Sequence, residues 1–437
     1  MNLKARSERP AHWLDEATIR RVLLALITQA QSDLHRRGLI REDQALAALS
    51  LGRSASQVDA IAIDEASLGF DSLSRLELIS RVNQFFQLSQ TGAEDYLLVT
   101  PTLGRWVEVV THHLVLVDTR LSFGFATSGT AGPVRTHVHG IDTLEAELKA
   151  LCEGPLAMAR PCARVVSLVP PHHIYGFLFS CLLPAYLGAP VVDLHRLAPS
   201  ALARNGRAGD LVIGTPFSWQ MVAHAGAALP EGLQGITSAG PSTAETWQRC
   251  GDGRPDGMIE IYGATETGGL GSRKAFDAPF DLLPHLVPLP TGIARASDPD
   301  VALPVQDRID WQGSRQFKLN GRLDHIVQVA GVNVEPSLVA ERIREVEGVS
   351  DVAVRLDGER LKAFVVPASG IKHPQDLEKR IHGHLCRHLP APARPASVRF
   401  GAALPRNEMG KLCDWGVPAP VGWSGSLEIK TSIPLIN

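Results

Sequence analysis

The chain has 437 residues, 44% hydrophobic and 20% charged, the make-up of an ordinary folded protein with room for two or three domains. A formal net charge of −3 leaves no electrostatic case for a nucleic-acid or anionic-membrane partner. The six cysteines include no Cys-x-x-Cys pair, so neither a zinc framework nor a disulfide scaffold is indicated, and a reduced cytoplasm is the expected setting.

Residues 1–115 read as helical, and the first ten lack the apolar core of a signal peptide. From Glu16 to Arg37, Ile19, Val22, Leu23, Leu26 and Ile27 keep helical spacing, and Gly38 ends the run. Leu73, Leu76, Ile79 and Val82 mark the apolar stripe of a second helix, with Ser72 at its start, where a serine caps unpaired backbone N–H groups. Thr100-Pro-Thr-Leu103 opens a last helix with Pro101 in its first turn.

After an apolar run from Leu121, the stretch from Phe125 to Arg135 alternates Thr127, Ser128 and Thr130 with Gly129 and Gly132. Glycines let successive N–H groups turn toward an anion, the hydroxyls add donors, and Arg135 supplies charge, so the stretch is suited to phosphate oxygens. It lacks the Gly-Lys-Ser/Thr ending of a P-loop. Strand-like runs at 165–169, 190–193, 210–213 and 258–261 alternate with helical stretches to about residue 320, the pattern of an α/β core. Residues 174–192 carry no charge, but Gly176, Pro184, Gly188 and Pro190 interrupt them, which favours a buried helix and strand over a membrane span. Beyond residue 324 the pattern becomes a small α+β unit: strands at 349–354 and 361–366 around Asp357-Gly358, a helix at 375–389, and a strand at 397–400. The end of the chain, rich in Pro, Gly and Ser, reads as irregular. The pairs His172-His173 and His137, His139 have no carboxylate or cysteine at ligand spacing, which argues against zinc.

Four segments in fixed order carry a resemblance: the loop at 125–135; Ile261-Tyr-Gly-Ala-Thr-Glu-Thr267; Gly321-Arg-Leu-Asp324 leading to Ala330-Gly-Val-Asn-Val-Glu-Pro336; and Leu404-Pro-Arg-Asn-Glu-Met-Gly-Lys411. Together they resemble the adenylate-forming superfamily of acyl-CoA synthetases, peptide-synthetase adenylation domains and luciferases, over residues 121–415. Leu68-Gly-Phe-Asp-Ser-Leu73 and Thr100-Pro-Thr-Leu103 resemble an acyl or peptidyl carrier protein, which implies 4'-phosphopantetheine on Ser72. The implied architecture is a helical carrier-like domain at 1–115, a reduced α/β adenylate-forming core at 121–322, a small α+β mobile C-terminal domain at 325–415, and an irregular tail at 416–437. The family has a longer first subdomain ahead of the phosphate loop, so here dimerisation or contact with the carrier-like segment would cover the exposed sheet edge.

The resemblance also implies roles. Thr127, Ser128, Gly129, Thr130, Gly132 and Arg135 would hold the β- and γ-phosphates of ATP, although the family has lysine where Arg135 stands. Thr265 would bond the α-phosphate, and Glu266 would ligate Mg²⁺ through a hard carboxylate oxygen. Ser238, Ala239, Gly240, Tyr262 and Gly263 would surround adenine, Asp307 would take the ribose, and Arg322 would contact ribose or phosphate. Lys411 would bridge the acid's carboxylate and the α-phosphate, offsetting their repulsion. Asp324 is the implied hinge, His173 would stand near the acyl pocket, and Phe177, Phe217 and Trp219 would either line that pocket or belong to the ordinary core. The expected reaction is ATP-dependent activation of a small carboxylic acid, with passage to phosphopantetheine on an acyl carrier protein or, alternatively, to CoA. The carrier-first order is similar to ligases that load hydroxybenzoate for aryl polyene or xanthomonad pigments, with a fatty acid as the alternative substrate. A rival reading is a non-catalytic nucleotide-binding scaffold.

Overall fold

The computed structural model describes residues 14–40, 54–126, 135–157, 162–197, 201–224, 229–240, 242–251, 257–290, 292–322, 327–329, 332–358, 360–371 and 373–416. Contacts divide the chain into two units: Met1–Leu323 with Arg406–Lys411, and Asp324–Pro405 with Leu412–Asn437.

The first unit begins with helices. Asp15 caps the Glu16–Arg36 helix by accepting the Thr18 N–H at 2.8 Å. Its Ile19, Leu23 and Ile27 are fully buried, as their spacing predicts. At the Ser72–Phe86 helix the structure corrects two expectations. The cap is Asp71, whose carboxylate accepts the Ser74 N–H at 2.8 Å, and Ser72 is the exposed first helical residue. Of the expected stripe, Ile79 and Val82 are buried, but Leu73 and Leu76 are 66% and 51% exposed. The last helix runs Leu103–Val117 behind Thr102, so Pro101 precedes the helix instead of lying in its first turn.

The segment read as carrier-like shares one continuous hydrophobic core with the α/β part. Phe85, in the last turn of Ser72–Phe86, has its ring 5.5 Å from Phe125 and 5.4 Å from Phe177. Phe125 belongs to a hairpin in which Ser122–Ala126 pairs antiparallel with Thr136–Gly140. The helix lies so close that a Cβ on Gly124 would stand 2.1 Å from the Gln84 carbonyl oxygen. Only glycine permits that approach.

The main sheet has nine strands in the order Asp307–Trp311, Gln316–Arg322, Phe280–Leu282, Gly268–Arg273, Met258–Ala264, Gln234–Thr237, Asp210–Gly214, Arg164–Ser167 and Val191–Asp193. From Met258–Ala264 to Val191–Asp193 all pairings are parallel; on the other side all are antiparallel. Strand–helix alternation therefore stops at Met258, and residues 258–322 form strands joined by turns, not the continued alternation expected to residue 320. The uncharged stretch after His173 is two short helices, Ile174–Phe177 and Leu183–Leu187, joined by a π-helical turn at Leu178–Leu182 and followed by Val191–Asp193. Among the described residues no helix is long and apolar enough to cross a membrane.

In the second unit Val349–Asp357 and Arg360–Pro367 form an antiparallel hairpin, with Ser397–Phe400 parallel to the latter. The Pro336–Arg344 and Pro374–His388 helices bury Val339, Ile343, Leu377 and Ile381 in that unit's own core. Lys362, nearly buried, reaches Asp414 at 3.0 Å and donates to the Trp415 carbonyl at 2.9 Å, which ties the end of the described chain to the sheet.

Candidate active site

Three parallel strands of the main sheet deliver residues just beyond their carboxyl ends, where open α/β sheets bind ligands. Arg164–Ser167 leads to His173, Gln234–Thr237 to Ser238 and Ala239, and Met258–Ala264 to Thr265; all of these residues beyond the strand ends line one cavity. Ala239 holds a left-handed φ of +73°, unusual for a side chain with a Cβ and a mark of a constrained turn. Thr265 and Glu266 occupy the turn between Met258–Ala264 and Gly268–Arg273, where Gly263 faces Gly269. A Cβ on Gly263 would stand 2.3 Å from the Gly268 carbonyl oxygen, so the glycine keeps the two strands close. Buried His139 holds this turn by donating from Nε2 to the Thr265 carbonyl at 2.7 Å. The half-buried Glu266 carboxylate accepts no hydrogen bond among the described residues, so a hard oxygen donor is left for a divalent cation such as Mg²⁺.

Lys411 reaches the same cavity from a pinned loop. The Asn407 side-chain oxygen accepts the N–H groups of Met409 at 3.0 Å and Lys411 at 2.9 Å, and the Asn407 N–H donates to the Lys411 carbonyl at 2.8 Å. Gly410 has a φ of +71°, and a Cβ there would stand 2.3 Å from Phe217 Cβ, so asparagine and glycine are what the turn requires. Phe217 thus lies under this loop, Trp219 donates from Nε1 to the Ile236 carbonyl within the core, and Phe177 belongs to the aromatic cluster. None of the three lines the cavity, so of the two expected placements the structure gives the core one for Phe177 and Trp219; Ile174, Tyr175, Leu178 and Phe179 line the cavity. Aromatic residues adjacent in sequence to a site are drawn into the core by their size.

The same loop carries Glu408, which sequence reasoning missed. Its Oε1 lies 3.2 Å from His173 Nε2 and 3.0 Å from His172 Nε2, the latter at ion-pair distance but out of line for a hydrogen bond. The carboxylate that the histidine pair lacks in sequence is therefore supplied from 235 residues away. Burial raises the Glu408 pKa, but the two imidazoles outweigh it and hold the carboxyl well below the carboxylate range. Burial, and then His172, lowers His173 to about 4, which leaves its imidazole neutral near pH 7.

Tyr262 donates its hydroxyl to Asp307 at 2.6 Å, joining two motif residues 45 positions apart. Asp307 lies opposite Arg322 in the sheet register. Gly240 is exposed beyond Ala239, and Arg135 is exposed at the start of Thr136–Gly140. Thr127, Ser128, Gly129, Thr130, Gly132 and Asp324 lie outside the described residues. A second missed residue is Glu147, which also lines the cavity. It stands among Leu144, Leu148 and Leu151 on the buried face of Ile141–Glu153, so its signal was a charged residue on an apolar stripe.

An AMP-binding enzyme family model matches residues 106–296, and an AMP-binding enzyme C-terminal domain model matches residues 339–411. A 4-coumarate–CoA ligase of Cereibacter sphaeroides is 43% identical over 403 residues, 92% of this chain and 97% of that one. A 4-coumarate–CoA ligase of Rhodobacter capsulatus is 40% identical over 361 residues, 81% of this chain and 91% of that one. Among solved structures, ATP-bound MatB from Rhodopseudomonas palustris shares the fold with a TM-score of 0.53 and 18% identity, covering 89% of this chain and 91% of that one.

Proposed function

Because this chain belongs to the AMP-binding family of adenylate-forming enzymes, we propose that it is an acid–CoA ligase acting on a 4-hydroxycinnamate-type acid such as 4-coumarate. The observation that carries the reading is 43% identity to a 4-coumarate–CoA ligase across 97% of that protein, joined to a cavity on which Lys411, His173 and Thr265 converge.

The chemistry follows from charge. A carboxylate oxygen attacks the α-phosphorus of ATP, the bond to the β-phosphate breaks, and pyrophosphate leaves. Lys411 offsets the repulsion between the two anions as they meet, and the Thr265 hydroxyl steadies the α-phosphate oxygens. When bound, Mg²⁺ would supply further positive charge at Glu266. The Tyr262–Asp307 pair would orient the nucleoside, with the Asp307 carboxylate accepting from ribose hydroxyls. In the second half-reaction the sulfur of CoA attacks the acyl carbonyl, AMP leaves with the bonding electron pair, and the thiol proton passes to solvent or to a neutral base. His173 is neutral near pH 7 and on the cavity wall, but with its pKa lowered to about 4 it is a weak base, so solvent is the favoured acceptor.

CoA is the acceptor favoured here. A carrier must swing its prosthetic group between sites, whereas the helix that starts at Ser72 is locked through Phe85 into the core beneath Phe125 and Phe177. ATP–pyrophosphate exchange with Mg²⁺ across 4-coumarate, cinnamate, 3- and 4-hydroxybenzoate and fatty acids tests the substrate class. Thioester formation with CoA, or with the chain's own pantetheinylated form, tests the acceptor. Exchange confined to hydroxybenzoates or fatty acids, or transfer only to Ser72, overturns the proposal.

A further inference from the structure

Glu147 stands out among the buried groups that the mechanism leaves unused. It is 4% exposed, on the inward face of Ile141–Glu153, and it borders the same cavity as Lys411. One oxygen, Oε1, accepts the Gly269 N–H at 2.9 Å; Oε2 has no hydrogen-bond partner among the described residues. Gly268 and Gly269 press against the carboxyl so closely that a Cβ on either would stand 2.4 or 2.5 Å from its oxygens. Backbone therefore holds the carboxyl, Oε2 against Gly268 and Oε1 against Gly269, at the border of the cavity. The other walls near it are apolar or backbone: Ile174, Leu178, Phe179 and the Gly263–Ala264 strand end. Arg295, which donates to the Thr267 carbonyl at 3.3 Å, is the charged group whose field reaches Glu147.

A buried acceptor with an unused oxygen is costly unless something donates to it. While Glu147 is ionised the substrate's carboxylate cannot be that partner, because it carries no donor and repels a second carboxylate. Charge instead draws it toward Lys411. What meets Glu147 must be another part of the acid, and it must carry a hydrogen-bond donor. We propose that Glu147 accepts a hydrogen bond from the phenolic hydroxyl of the acid and so selects hydroxylated aryl acids over those that end in hydrocarbon or ether. The inference rests on the acid–CoA ligase reading above and adds to it the residue that reads the ring substituent.

The test compares 4-coumarate, cinnamate and 4-methoxycinnamate as substrates of the full-length enzyme, of Glu147→Leu and of Glu147→Gln, by ATP–pyrophosphate exchange. A site built to bond a hydroxyl rejects the analogue that lacks it, so the wild type is expected to favour 4-coumarate over both others by roughly 100-fold in kcat/KM. Glu147→Leu should shrink that preference to within about threefold, chiefly by loss on 4-coumarate, with cinnamate turnover kept. Glu147→Gln retains the acceptor for Gly269 and should give an intermediate preference; it decides the matter if the leucine variant does not fold, as judged by ATP binding. A wild type that uses 4-coumarate and cinnamate equally, or folded variants that keep the full preference, overturns the role of Glu147 and leaves the ligase reading standing. A wild type that exchanges with none of the three but does so with other acids sinks the 4-hydroxycinnamate reading itself, and the Glu147 proposal with it.

Discussion

Two carboxylates bear on the same site in opposite surroundings. Glu408 has a side chain one-third exposed, comes from the loop that carries Lys411, and lies between two imidazoles that hold it ionised. Glu147 is buried on a helix, has one backbone N–H for company, and is pushed by burial up to about 7 despite that bond and the field of Arg295. Side-chain chemistry is identical in the two, so their difference comes from what the fold brings beside each. One is suited to anchoring a loop, the other to meeting a ligand.

Removing the cation that the Glu408 loop presents should have the largest effect. Lys411→Ala is expected to slow ATP–pyrophosphate exchange by roughly 10²–10³-fold while ATP binding measured by calorimetry persists. Equal loss of binding would mean that the loop and not the charge had failed. Glu408→Gln keeps the size but weakens the hold of the two histidines, and should lower kcat by about tenfold with little change in KM for the acid. A change confined to KM would place Glu408 among ligand contacts and erase the contrast with Glu147.

Stability against pH separates the two carboxylates by sign. At Glu408 and His173 the fold favours the deprotonated forms, so their contribution is lost as pH falls, through about 4 for His173. At Glu147 the fold favours the protonated form, so its contribution is full below 4.5 and declines as pH rises through about 7. Glu147→Gln should therefore flatten the neutral limb of a thermal-melt series and leave the acid limb in place. Ionisation also strengthens a carboxylate as an acceptor, so the preference for 4-coumarate over cinnamate should rise severalfold from about pH 6 to about pH 8 in the wild type and stay flat in Glu147→Gln. Ser72→Ala should change least: thioester formation with free CoA is expected to be unaltered, and its abolition would restore the carrier role.

Much of the molecule is legible in the sequence because it depends on neighbours along the chain. The Glu16–Arg36 helix, four of the five parallel strands and the hairpin around Asp357-Gly358 follow local periodicity and turn chemistry and form where expected, whereas Gln234–Thr237 is a strand not foreseen from sequence. The turn that presents Lys411 follows from Asn407 and Gly410, which any tight loop of that shape requires. Sequence does not separate Asp71 from Ser72 as a helix cap, since aspartate and serine cap equally well and only the folded backbone distinguishes them. The strands from Gly268 to Arg322 escape sequence reasoning because short antiparallel runs with mixed polarity carry no long apolar signal.

Residue chemistry and motif order by themselves determined the family-like set of functional groups and the order in which the chain presents them, because covalent spacing fixes local turns and the identity of each donor. Tertiary structure alone decided which groups meet. It brought Glu408 to His173 across 235 positions, Tyr262 to Asp307 across 45, and Glu147 to Gly269 across 122, and it withdrew Phe177 and Trp219 into the core. Pairings over such distances depend on how sheets and helices pack, and packing shifts two glutamates on one site in opposite directions, Glu147 upward by burial and Glu408 downward by the imidazoles beside it.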